Sequence, residues 1–256
     1  MKNLKYIYTI IFSTLLFTSV KTKAQNTIFL SHGRIEYERK VNLWAQIDDN
    51  DWDNDEDWKA LMRKINPQFK STFFDLEFNG NKTLFKPGRE NPANNKMWGD
   101  SPGETNTVFN DLAKDLTVSQ KNVFEEKFLV QDSLRNIQWK VTDEKRIIAG
   151  FECRRANAII MDSIYVVAFY TDAITTTGGP ESFTGLPGMI LGIALPHEHI
   201  TWFATKIYTE NIIDANLVPP AKGKKVTNTE LLKTLKDQMP TWDKKWANRN
   251  IRTVMI

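Results

Sequence analysis

The segment Tyr165-Val166-Val167-Ala168-Phe169-Tyr170 is apolar at every position. Side chains alternate between the two faces of a strand, so a strand built from it presents apolar groups on both sides. Such a strand belongs in the interior of a sheet that is covered on both faces. The rest of the chain supplies that sheet. Ile35, Tyr37 and Val41 alternate with charged residues and predict an early strand. Residues 71–78 and 82–85 flank Asn79-Gly80-Asn81, a strong hairpin signal. Further runs at 108–112, 116–124, 127–131, 138–142, 146–160, 164–171, 189–195 and 200–209 follow at short spacing. With no helix between most of them, antiparallel meander connections are implied. The expected class is mainly β: an antiparallel curved sheet or partly open barrel with one or two flanking α-helices.

One helix is predicted over 55–65, capped by Asp55 or Asp57, with Trp58, Leu61, Met62 and Ile65 on one face. A second is predicted over 228–239, capped by Asn228 or Thr229 and stopped by Pro240. Lys222-Gly223-Lys224-Lys225 reads as a linker loop ahead of it.

The first 24 residues have a basic start, an apolar run from Tyr6 to Val20 and a small-residue site ending at Ala24. This is the pattern of a signal peptide cleaved after Ala24, leaving residues 25–256 as a single β-rich domain. The apolar run falls short of the roughly 20 residues that a membrane span needs, so no transmembrane span is expected in the mature chain. Residues 1–24 hold four lysines and no acid, so the 34 basic and 31 acidic side chains of the chain become 30 and 31, a net charge of −1. A nucleic-acid partner is not expected, because such proteins carry surplus positive charge against phosphate. Cys153 is the only cysteine, so no internal disulfide forms. The expected location is the periplasm or the exterior.

Three groups are candidates for chemistry. The acidic run from Asp48 to Asp57 suits a hard cation, but a calcium loop beginning at Asp49 needs Gly sixth and Glu twelfth, where Asn54 and Ala60 stand. It reads as a solvated turn feeding a helix N-terminus. His197 and His199 lie two residues apart and can share one side of a strand, a start towards a transition-metal site that needs a further ligand. Cys153 shares a face with Phe151 and Ile147 if 146–160 is one strand, and so reads as a small buried hydrophobe. The sequence requires no cofactor and carries no Gly-x-Ser-x-Gly, His-Glu-x-x-His, phosphate loop or Cys-x-x-Cys. The aromatics on the strands, among them Phe74, Phe78, Phe85 and Trp202, read first as core. The alternative is the wall of an apolar ligand site in an unclosed barrel.

The glycine-rich stretch 178–192 is a shaped backbone element. Gly185 and Gly188 flank Leu186 and Pro187, and Gly179-Pro180 precedes them. Glycine allows positive φ and proline fixes its own, which predicts a tight bend before the apolar strand 189–195. Together with Ile35-Glu36-Tyr37, Trp139-Lys140-Val141, Ile148-Ala149-Gly150-Phe151-Glu152-Cys153-Arg154-Arg155-Ala156 and Phe169-Tyr170-Thr171, this stretch resembles the GLPGLI family over roughly residues 33–210. Met189 stands where the name has leucine, a volume-conserving swap. The resemblance implies an exported, β-rich envelope protein and carries over no catalytic residue. Gly179, Pro180, Gly185, Leu186, Pro187 and Gly188 are candidates for ligand or partner contact, against an architectural role as a hinge of the sheet. The expected function is that of a noncatalytic binding or accessory protein for an apolar ligand or an outer-membrane partner. Metal binding through His197 and His199 is the alternative.

Overall fold

The computed structural model describes residues 29–49, 56–94, 102–123, 125–238 and 244–256. The proposed signal peptide and the centre of the acidic run lie outside them. Among the described residues twelve strands form one sheet: β1 (His32–Asn42), β2 (Phe69–Asn79), β3 (Lys82–Pro87), β4 (Thr107–Asp111), β5 (Leu116–Val123), β6 (Glu126–Asp132), β7 (Lys140–Ile148), β8 (Phe151–Ile160), β9 (Ile164–Thr171), β10 (Met189–Leu195), β11 (Ile200–Tyr208) and β12 (Lys224–Val226). Their order is β12-β6-β5-β4-β3-β2-β1-β11-β10-β9-β8-β7. The chain is thus mainly β, with one large sheet that does not close into a barrel. Every pairing is antiparallel except that of β12, which runs parallel to β6.

Two meanders meet where β1 pairs with β11. The apolar segment that anchors the sequence reading is β9, buried at seven of its eight positions. On one face of the sheet, Ile35, Tyr37, Phe74, Leu76, Phe78 and Phe85 are completely buried. Phe74 and Phe85 stack with ring centroids 4.7 Å apart, a contact worth about 1 kcal/mol beyond its burial. The Tyr37 hydroxyl donates to the Ile190 carbonyl at 2.6 Å, which satisfies the one polar atom that this residue brings into the core. The aromatics are therefore core. At the β4–β6 end the opposite face packs Leu84, Phe109, Val118 and Leu129 under Leu217.

Four helices accompany the sheet among the described residues: α1 (Leu43–Asp48), α2 (Glu56–Ile65), α3 (Asn228–Gln238) and α4 (Lys244–Met255). α2 forms where its spacing predicts it, but Leu61 and Ile65 stay 52% and 40% exposed, so its apolar stripe does not enter the core. α3 starts with a capping box one residue earlier than expected. The Thr227 hydroxyl accepts from the Glu230 N–H, and the Glu230 carboxylate accepts from the Thr227 N–H. Leu231 and Leu235 of α3 and Ala247, Val254 and Met255 of α4 cover Phe128 and Val130 of β6.

Two strand expectations need correction. The run 146–160 is not one strand: Ala149 and Gly150 both have positive φ, 48° and 87°, and form a tight hairpin turn between β7 and β8. The fold-back leaves Ile147 66% exposed while Cys153 is completely buried; the two do not share a buried face. The stretch read as a linker holds the edge strand β12, because Gly223, at φ 129°, brings the backbone against Lys127 and Phe128 of β6.

Candidate functional site

The segment between β9 and β10 carries most of the motif residues, and it lies across the sheet. Thr176 donates its hydroxyl to the Gly80 carbonyl at 2.8 Å, at the β2–β3 turn. A Cβ at Gly178 would stand 2.7 Å from Thr83 of β3. Glu181 reaches the start of β4, where the side-chain amide of Asn106, the residue before the strand, donates to Oε2 at 3.0 Å. The chain then returns, and the Trp139 indole N–H donates to the Thr184 carbonyl at 2.9 Å. Gly188, at φ 140°, passes so close to the end of β9 that an added Cβ would lie 2.1 Å from the Thr171 carbonyl oxygen. The glycines are thus where the backbone needs close approach. Of the six motif residues singled out above, Gly179, Pro180, Leu186 and Gly188 are buried, and only Gly185 and Pro187 are exposed. The bend expected before β10 is present, and it extends into a strap across the face that holds the core.

Glu181 opens onto a polar layer that the sequence reading missed. Pairing register places Arg39 of β1, Asn110 of β4 and Thr117, Ser119 and Lys121 of β5 on this face. All are buried. Burial pushes Glu181 above the usual carboxylate range, and the Lys121 charge and the Asn106 hydrogen bond only partly oppose it. Burial likewise pushes Lys121 down to about 8, against the pull of Glu181. The Lys121 ammonium donates to the Val254 carbonyl at 2.7 Å, Arg135 to Met255 O at 2.7 Å and Ser182 to Ile256 O at 2.9 Å. Two cations and a hydroxyl thereby hold the carbonyl end of α4, where the helix dipole favours positive charge.

Beside this layer lies a cavity of about 430 Å³. Its floor is Thr117, Ser119, Lys121, Val130 and Asp132 of β5 and β6; its walls include Leu134, Arg135, Met161, Leu232, Met255 and Ile256. Ser182, next to Glu181 in the strap, also borders it. Thr117 Oγ1 is buried without a hydrogen-bond partner among the described residues. The cavity combines apolar wall with charged and hydroxyl groups, as small-molecule sites do.

The other candidates fall elsewhere. His197 and His199 do not sit on a strand: Pro196–Glu198 is a 3₁₀ turn, and His199 follows it at φ 56°. His197 is exposed. His199 Nε2 lies 2.8 Å from Asp49 Oδ2, and Arg249 donates to the same carboxylate oxygen at 3.3 Å. Among the described residues no group of three or more His, Cys, Asp or Glu is arranged to hold a metal ion. The Cys153 thiol is pushed up to about 12 by burial, the reverse of an activated nucleophile.

Comparison with known proteins adds to the fold. A family model described as "Protein of unknown function (Porph_ging)" matches residues 159–192, which span β9, the strap and the start of β10. No curated protein matches. The solved structure titled "Structure of PNGF-II in P21 space group" superposes with a TM-score of 0.50 at 17% identity, covering 81% of this chain and 32% of that one. The same protein in a C2 space group gives 0.50 at 14% identity, covering 78% and 31%. This chain therefore spans about a third of the length of those chains, and the likeness is one of fold.

Proposed function

We propose that this chain is an exported, noncatalytic binding protein of the cell envelope, and that the 430 Å³ cavity beside the strap takes an apolar ligand with one polar end. The observation that carries the reading is the cavity's composition. Val130, Leu134, Met161, Leu232, Met255 and Ile256 supply apolar wall, and Thr117, Ser119, Lys121, Asp132, Arg135 and Ser182 are among its polar groups. A ligand's polar end would give Thr117 Oγ1 the partner it lacks, and an unmet buried polar group costs about 1–3 kcal/mol. The signal-peptide pattern of residues 1–24 supports export.

Titration with N-phenyl-1-naphthylamine, a neutral apolar fluorophore, tests it. The reading expects saturable one-site enhancement that Ser119→Trp, which fills the cavity floor, abolishes with circular dichroism unchanged. No enhancement with the wild type, or equal enhancement with the variant, rejects it.

A further inference from the structure

The hydrogen-bonding groups around the 430 Å³ cavity are unevenly used. Thr117, Ser119 and Lys121 are alternate residues of β5, so they stand in a row on one face of the strand, about 7 Å apart. Ser119 pairs with Val130 and Lys121 with Phe128 of β6, and α3 and α4 cover those two partners. The row therefore lies beneath the helices. Among the described residues, the cavity's acceptors are already engaged. Asp132 takes the Ser133 N–H on Oδ1 at 2.9 Å, and the N–H and side-chain amide of Asn228 on Oδ2, both at 3.1 Å. The last three carbonyls of the chain take Lys121, Arg135 and Ser182. The donors are not used up. Lys121 gives one ammonium proton to the Val254 carbonyl and keeps the others. Arg135 likewise gives one guanidinium nitrogen to the Met255 carbonyl. The Thr117 hydroxyl, at 5% exposure, has no partner at all. Asp132 lines the cavity and Glu181 attracts Lys121, so two acids stand against the two cations. The surplus is one of donors and not of charge.

We propose, on the reading that this cavity is a ligand site, that its ligand is an acyl compound, a fatty acid or its ester. Its carboxyl oxygens accept from the donors of this set, Thr117 Oγ1 being the one that nothing else occupies, and its chain lies against Val130, Leu232, Met255 and Ile256. An acyl oxygen brings acceptors to a site whose spare groups are donors. A primary ammonium brings only further donors and leaves the Thr117 proton unmet, and an unmet buried polar group is costly.

Displacement of N-phenyl-1-naphthylamine from the full mature chain at neutral pH tests this, with decanoate, methyl decanoate and decylamine as competitors below their micelle concentrations. The tighter of the two acyl compounds is expected to displace the fluorophore at least ~10-fold more tightly than decylamine, and it names the acid or the ester as the source. Thr117→Val, which removes the hydroxyl at nearly constant volume, is expected to lower that acyl affinity by ~10-fold and leave decylamine unchanged. Arg135→Met does the same from the loop after β6, and circular dichroism confirms that each variant folds. Decylamine displacing as tightly as the better acyl compound, or unchanged acyl affinity in both variants, overturns this proposal and leaves the cavity reading standing. Absence of any fluorescence enhancement with the wild type rejects both.

Discussion

At the scale of single residues, the glycines divide by what surrounds them. Gly188 and Gly150 both have positive φ, 140° and 87°. Only Gly188 has backbone where a Cβ would go; Gly150 has nothing within 4 Å. Gly188→Ala is therefore expected to destabilise by on the order of 4 kcal/mol and Gly150→Ala by about 1 kcal/mol, read by urea unfolding. Equal losses would mean that strain at φ, and not the approach to Thr171, sets the cost. Lys121 makes a pH-dependent contribution. Its folded pKa, about 8, lies below the ordinary lysine value of about 10.4. The unfolded chain thus binds more protons between these values, so the contribution is present above pH ~10.4 and is lost as pH falls through about 8. Stability attributable to Lys121 should rise between pH 8 and 10, and Lys121→Met should remove that rise. Glu181 has the opposite sign. Its raised pKa gives stability that is present below the ordinary carboxylate pKa and lost as pH rises through the folded value. Glu181→Gln should flatten stability over that acid window, and an unchanged profile would contradict the desolvation assigned to Glu181.

At the scale of elements, most strands were legible because the solvent and core faces alternate cleanly. The spans of β9 and β10 were readable to the residue, and the hairpin around Gly80-Asn81 to within two residues at its strand ends. The β7–β8 turn was not, because Ala149-Gly150 sits directly between Ile147-Ile148 and Phe151, with no polar turn residue to mark the break. Arg39 carried a readable signal, since it holds the core parity between Tyr37 and Val41 in β1. Lys121 and Glu181 did not: the buried parity of β5 is Thr117, Ser119, Lys121 and Val123, three polar residues of four, so hydrophobic alternation does not mark that face. α4 was missed because it is held by long-range contacts. Arg252 donates to the buried carboxylate of Glu198 at 2.7 Å, and Lys121, Arg135 and Ser182 hold its carbonyl end. Arg252→Ala leaves the Glu198 charge buried without that partner. A half-exposed arginine screens part of the effect, so a loss of about 2 kcal/mol is expected, with hydrogen exchange accelerated first in α4. Protection unchanged along α4 would show that the helix is held by apolar contacts alone.

At the scale of the whole molecule, the strap from β9 across β3 and β4 and back to β10 ties the two meanders of one unclosed sheet together. The glycine–proline residues were legible as a bend but not as a strap, because reach across a sheet is a property of topology. Gly179, Pro180, Leu186 and Gly188 are buried in the strap, while Gly185 and Pro187 stay exposed. The central proposal is that the 430 Å³ cavity holds an apolar ligand in an exported protein. Native mass spectrometry of the chain, produced with its own N-terminus in a Gram-negative host and recovered from the periplasm under gentle conditions, reads both parts at once. The account predicts the mass of residues 25–256 carrying one apolar compound that Ser119→Trp no longer retains. Recovery of the bare polypeptide, or the same adduct on the variant, would contradict it.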